Sequence, residues 1–198
     1  MKKILAVFAL TLAFIGADAQ ETKILKDLVG NEIKLKGEAK SIAALWHANN
    51  QIILMLGGMD KVVATTDLIK KNIWFNLVYP NLKNIPAALN NNDIQIEEVI
   101  KLKPDIAIVS NKNYLEQLSK QGIKAAYLSF TNYDEMRDSI LLTANLIGDD
   151  AIKRAKEFDE YINEKISLVK SKTDGLSKRP TVLHIVNGSN FLKVDGPN

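Results

Sequence analysis

Ile96-Glu97-Glu98-Val99-Ile100-Lys101-Leu102-Lys103-Pro104-Asp105-Ile106-Ala107-Ile108-Val109 carries two structural periods in one short stretch. Ile96 to Leu102 reads as an amphipathic helix. Lys103-Pro104-Asp105 stops it, because the residue before a proline is disfavoured in the helical region. Ile106 to Val109 is apolar without alternation, the mark of a strand covered on both faces. The same succession recurs upstream. Ser41 to Leu45 is a short apolar run, Asn50 to Leu56 a helical segment closed by Gly57-Gly58, and Lys61 to Thr65 a β-rich run, together a strand–helix–strand unit. Downstream, Asn113 to Gln121 gives a third helix closed by Gly122, and Lys124 to Leu128 a fourth strand. This alternation implies an α/β fold, a Rossmann-like parallel-sheet lobe with flanking helices.

Before that lobe, residues 23–36 alternate apolar and polar around Val29-Gly30-Asn31, which predicts a hairpin covering an edge of the sheet. After it, from Tyr133, the pattern becomes helical, with a break near Gly148-Asp149-Asp150. Ile152, Ala155, Phe158, Ile162, Ile166 and Val169 then recur at helical spacing. At about 1.5 Å per residue, Asp149 to Lys170 spans roughly 33 Å, long enough to bridge two lobes. Ser171 to Pro180 is a polar break, and Thr181 to Val186 opens a fresh strand with no sheet of its own. The expected organisation is a signal peptide over 1–19, an N-terminal α/β ligand-binding lobe over 20–132, a connecting helical segment with a long α-helix over 133–171, and the start of an incomplete second lobe over 172–198.

The 198 residues are 46% hydrophobic and 25% charged, with a net charge of +3, an ordinary globular composition. There is no cysteine, which excludes disulfide scaffolds, thiolate metal sites and thiol nucleophiles. Lysines and arginines are interspersed with acidic residues, so no basic stripe points to nucleic acid. Lys2 and Lys3, the uncharged run Ile4 to Ala17, and Ala17-Asp18-Ala19 have the order of a secretory signal peptide cleaved after Ala19. The apolar run is shorter than the ~20 residues of a membrane-spanning helix. With no cysteine at the cleavage site to take a lipid, a protein of the Gram-negative periplasm without a membrane anchor is expected.

The segment from Ile96 to Ile108 also resembles the signature of the periplasmic substrate-binding proteins that serve ABC importers for siderophores, haem, cobalamin and related metal chelates. Four further stretches are similar to that family's pattern, in its order: Leu28 to Ile33 with Asp27 before it, Gln51 to Val63, Leu82 to Pro86, and Leu146-Ile147-Gly148. The resemblance implies capture of a metal chelate between two lobes, an iron(III)–siderophore first, and delivery to an inner-membrane ABC permease without chemical turnover. Nickel chelates, haem and cobalamin are alternative ligands. It also implies that Glu97, with Glu98 beside it, docks the lobe on the permease. Family members carry a second α/β lobe of similar size, of which this chain holds only the opening. A truncated remnant without function is therefore a competing expectation, and a secreted α/β hydrolase another.

Enzyme signatures are absent: no G-x-S-x-G, no Walker loop, no G-x-G-x-x-G, no His-Glu-x-x-His. No catalytic residue and no cofactor are expected. In an open parallel sheet, ligands bind where the strands end. The four loops there are Trp46 to Asn49, Thr66 to Tyr79, Ser110 to Lys112, and Phe130 to Tyr133. From these come the candidate ligand contacts. Lys70, Lys71 and Lys112 would offer charge to an anionic chelate, and Trp46, Trp74, Tyr79 and Tyr133 stacking surface. Asn49 and Asn111 add amides, Asn49 being equally suited to capping the first helix. His47 is a wall residue or a direct metal ligand; the other histidine, His184, falls in the expected second lobe.

Overall fold

A computed structural model describes residues 22–178 together with Pro180 and Thr181. The expected signal peptide, His184 and the strand beyond Thr181 lie outside the described residues. The chain divides into two compact units, one ending at Ala155 and the other beginning at Lys156. Among the described residues no helix is long and apolar enough to cross a membrane.

Strands β1 (Thr22–Lys26) and β2 (Glu32–Lys36) form the antiparallel hairpin read from the alternation, with Lys26 opposite Glu32. Its turn is built on Asp27, which is 5% exposed. One carboxylate oxygen accepts from the amides of Val29 and Asn31, and the other from the Asn31 side chain and the Tyr127 amide, at 2.8 to 3.1 Å. The Leu28 amide in turn donates to the Tyr127 carbonyl. The hairpin thereby caps the edge of the main sheet.

That sheet has six strands in the order β6-β5-β4-β3-β7-β8: β3 (Ile42–Ala44), β4 (Val62–Thr66), β5 (Ala87–Asn90), β6 (Asp93–Ile94), β7 (Ile106–Val109) and β8 (Ala125–Tyr127). All pairings are parallel except β5 with β6. This hairpin turns through Asn91 and Asn92, both at positive φ (47° and 62°), as a tight two-residue hairpin requires and asparagine tolerates. Ile42 to Leu45 and Ile106 to Val109 are fully buried, which is why neither run alternates.

The helices are α1 (His47–Leu56), α2 (Asp67–Lys71), α3 (Ile73–Val78), α4 (Ile96–Leu102), α5 (Lys112–Lys120), α6 (Tyr133–Ile147) and α7 (Asp149–Thr173). α4 and β7 coincide with their sequence-based bounds, while α1 begins three residues before the expected Asn50. The stretch from Thr66 to Tyr79, expected as a loop, instead holds α2 and α3, whose first turns are capped by the side chains of Thr66 and Asn72. α6 packs into the first unit: Asn49 on α1 donates to Thr143 at 2.9 Å, and the Ala39 amide donates to the Leu146 carbonyl. α6 thus belongs to the compact unit that ends at Ala155.

Two braces close the end of the sheet where the strands begin. Asp105, after the proline that stops α4, accepts from the amides of Lys40 and Ser41 at 2.7 and 3.0 Å, and its own amide donates to the Ser41 hydroxyl. Lys61 donates to Glu38 at 2.9 Å and to the Ile147 carbonyl. Gly148 makes room for this cluster, since a Cβ there would lie 2.0 Å from a Glu38 carboxylate oxygen. The Lys61 hydrogen bond holds the Glu38 carboxyl below its ordinary 4.5, against the opposing effect of burial. A depressed carboxyl stabilises the fold above its unfolded value and loses that contribution as pH falls through the folded one. Glu38→Gln should lower stability at pH 7, and the difference from wild type should shrink as pH falls below 4.5, as measured by urea unfolding across a pH series.

Candidate functional site

The strand order turns at β3, which leads to β4 on one side and to β7 on the other. Such a switch leaves a crevice at the carboxyl ends of the strands. A cavity of about 420 Å³ opens there. Trp46 and His47 enter it from the turn after β3, Thr66, Asp67 and Leu68 from the end of β4, Leu89 and Asn92 from the β5–β6 hairpin, and Ser110, Asn111 and Tyr114 from the β7–α5 junction. A larger groove of about 610 Å³ lies between β2 and α5. It is away from the strand ends, and its Glu32, Lys34, Glu116 and Lys124 are exposed, so the switch-point cavity is the better candidate.

Trp46 is half-buried in extended backbone just before α1. Its ring meets Phe130 edge-on at 4.8 Å between centroids and His47 at 6.0 Å. What fixes this turn is Asn50, fully buried one helical turn later. Its amide donates to the carbonyls of Ala44 and Trp46 at 2.7 and 2.8 Å, and its oxygen accepts from the Thr65 hydroxyl on β4 at 2.7 Å. Nothing in the sequence marked Asn50 beyond a polar residue opening an apolar run. On the far wall, Asn111 caps α5 by accepting from the Asn113 amide at 2.8 Å, a bond that leaves its amide hydrogens unused. Tyr114 donates to the Asn92 carbonyl, joining α5 to the β5–β6 turn.

Of the ten expected contact residues, Trp46, His47 and Asn111 line this cavity and seven do not. Asn49 neither caps α1 nor reaches the cavity: α1 begins at His47, and Asn49 is fully buried against α6. Lys70 donates to the carbonyls of Lys83 and Ile85 at 2.9 and 2.7 Å, tying α2 to the segment before β5. Lys71 is paired with Asp67 at 2.8 Å. Tyr79 donates to the Met59 carbonyl. Trp74 is 71% exposed on α3, and Lys112 and Tyr133 begin α5 and α6. Of the lining residues outside the expected loops, Tyr114 stands on α5, and Leu89 and Asn92 belong to a fifth strand-end loop. Its signal was the Asn90-Asn91-Asn92-Asp93 turn.

Asp67 is the carboxylate of the cavity. The Lys71 hydrogen bond holds its carboxyl below the ordinary value. Among the described residues no three His, Cys, Asp or Glu side chains converge as a metal-ligand group, so His47 stands as a single imidazole in the wall. Glu97 and Glu98 lie outside this cavity in the first turn of α4, Glu97 exposed and Glu98 half-buried. Removing the Asn50 side chain should take from the buried Thr65 hydroxyl its acceptor and from the Ala44 carbonyl its side-chain donor, while the Trp46 carbonyl keeps only the Asn50 backbone amide. Asn50→Ala is expected to cost roughly 2–4 kcal/mol in chemical denaturation, and amide exchange at Trp46 and His47 should accelerate with it.

A family model described as periplasmic binding protein matches residues 42–196. Among curated relatives, the uncharacterized ABC transporter substrate-binding lipoprotein YvrC of Bacillus subtilis (strain 168) is 24% identical over 161 residues, covering 78% of this chain and 48% of the relative. The probable siderophore-binding lipoprotein YfiY of the same organism is 22% identical over 177 residues, covering 88% of this chain and 53% of the relative. The chain thus spans about half the length of the curated relatives it matches. A solved structure, the periplasmic solute binding protein from Veillonella parvula DSM 2008, superposes with a TM-score of 0.72 at 26% identity, over 82% of this chain and 52% of that one. With more than half of its length matched by the family model, and with the mixed α/β sheet and long helix already described, the chain belongs to the periplasmic binding protein family.

Proposed function

We propose that this chain supplies the first lobe of the solute-binding component of an ABC importer, exported to the Gram-negative periplasm by its cleaved leader. It captures a metal chelate, an iron(III)–siderophore, and delivers it to an inner-membrane permease. The observation that carries this reading is the cavity at the β3 switch point, walled by a braced tryptophan, amides and hydroxyls. Such a wall suits a chelate that keeps its own metal ligands and presents rings and oxygens to the protein. The relative named as a probable siderophore-binding lipoprotein supports the choice of ligand. Capture without turnover is supported by the chemistry of the wall, whose one carboxylate is engaged by Lys71.

The chain has two tryptophans, Trp46 and Trp74, and only Trp46 lines the cavity. Titrating the full-length protein with a ferric siderophore should quench its fluorescence. The quench should survive Trp74→Phe and disappear in Trp46→Phe. No response to ferric siderophores, nickel chelates, haem or cobalamin would refute the chelate reading.

Delivery to the permease is assigned to Glu97, with Glu98 beside it. Its exposure in the first turn of α4 supports that role, although a helix start favours a carboxylate by itself, by a few tenths to about 1 kcal/mol. A charge pair at the rim of an interface acts mainly on association and weakens with salt. Glu97→Ala should therefore leave chelate affinity intact while lowering uptake. Loss of affinity with unchanged uptake would place Glu97 in the cleft instead.

A further inference from the structure

None of the three lysines of the strand-end loops lines the cavity. Lys70 is spent on two backbone carbonyls and Lys71 on Asp67, while Lys112 does not line the cavity. Among the described lining residues, His47 is the one side chain able to carry positive charge. The rest are aromatic, aliphatic, amide or hydroxyl, with the single exception of Asp67. The two members of the Asp67–Lys71 pair are not equally placed. The carboxylate is 15% exposed and lines the cavity, whereas the ammonium is 70% exposed and does not. A ligand in the cavity therefore meets the negative member first and the positive one behind it, screened by water. Beside Asp67 the wall continues into Leu68, 57% exposed, and the α2–α3 excursion goes on to expose Ile73 and Leu77.

Resting on the chelate reading above, we infer that Asp67 is a specificity-determining residue. By occupying Lys71 and facing the cavity with its own carboxylate, it makes this lobe select electroneutral chelates over polyanionic ones. A trianionic complex gains nothing from an ammonium already paired and is repelled by the carboxylate nearer to it. An uncharged complex meets amides and hydroxyls that hydrogen-bond it and an aromatic ring to pack on. Asp67 has a structural use too. It is the first residue of α2, where a negative charge is favourable, and it stands four residues before its lysine. That role predicts effects on stability alone, whereas a charge filter predicts a change in the ratio of affinities for ligands of different charge.

The test is fluorescence titration of the full-length protein with ferrichrome, an electroneutral tris-hydroxamate, and ferric enterobactin, a trianionic tris-catecholate. Wild type should bind ferrichrome at least about ten-fold more tightly. Asp67→Asn frees Lys71 and removes the carboxylate, so it should narrow that ratio about five-fold or more by tightening the catecholate more than ferrichrome. Lys71→Gln leaves the carboxylate unpaired and should widen the ratio, which gives a second reading should Asp67→Asn fold poorly. Equal or tighter catecholate binding by wild type, or an unchanged ratio in both variants, would overturn the charge filter while leaving chelate capture standing. If neither probe, nor nickel chelate, haem or cobalamin, alters the fluorescence, chelate capture itself fails and the filter with it.

Discussion

The buried carboxamide of Asn50 is the interaction on which the site depends. β3 is the central strand, and the chain must leave it at a defined point for the switch-point crevice to have a shape. Asn50 sets that point by bonding the last carbonyl of β3, the carbonyl of Trp46 and, through Thr65, the neighbouring strand β4. On the other flank, the Leu45 amide donates to the Ile108 carbonyl of β7 at 2.9 Å. The exit of β3 is thus pinned from both sides, and Trp46 follows directly. Because Asn50 is fully buried, each of its bonds replaces one that water cannot supply, so the network is all-or-nothing in character.

At the opposite end of the sheet the bonding is of another kind. Asp105 clasps the backbone entering β3, and Lys61 bridges Glu38 to the last carbonyl of α6. These are charge-assisted bonds between elements far apart in sequence, and they are partly exposed, so salt weakens them in a way that it does not weaken the Asn50 network. The division suits a binding lobe. One end is closed by cross-links that hold the strand starts together, while the other carries short helices and turns whose side chains remain available to a ligand.

The parts of this arrangement legible in the sequence were those with a strong local period. Ile96 to Val109 shows helix, stop and buried strand because each is written in residue type alone, and the hairpin shows because its strands alternate. β5 and β6 did not show. Ala87 and Ala88 carry little β preference, and the strand is held by its pairing with β4, which is not a local property. α2 and α3 were hidden for a different reason: Ile73, Trp74, Leu77 and Val78 are all exposed, so no apolar stripe faces a core and no helical period emerges. The lysines were misplaced because sequence gives a charge but not its partner. Lys70 finds carbonyls thirteen and fifteen residues away, and only the folded path of the chain brings them together. Asn49 and Asn50 make the same point in adjacent residues, one bracing α6 and the other β3, with nothing in their order to tell them apart.

Trp46 shows what a braced aromatic offers a cavity of small size. A cavity of about 420 Å³ lies toward the lower end of the range for small-molecule sites, so in the proposed reading one lobe covers one face of the ligand. Binding then depends on how little freedom is lost when the contact forms. Trp46 loses little, since its backbone is fixed by Asn50 and its ring already rests edge-on against Phe130 and His47. Trp74, 71% exposed and outside the cavity lining, would have to surrender rotamer freedom before it contributed anything. Two tryptophans of equal chemical promise in the sequence are therefore unequal in the fold. What separates them is a buried asparagine that touches no ligand.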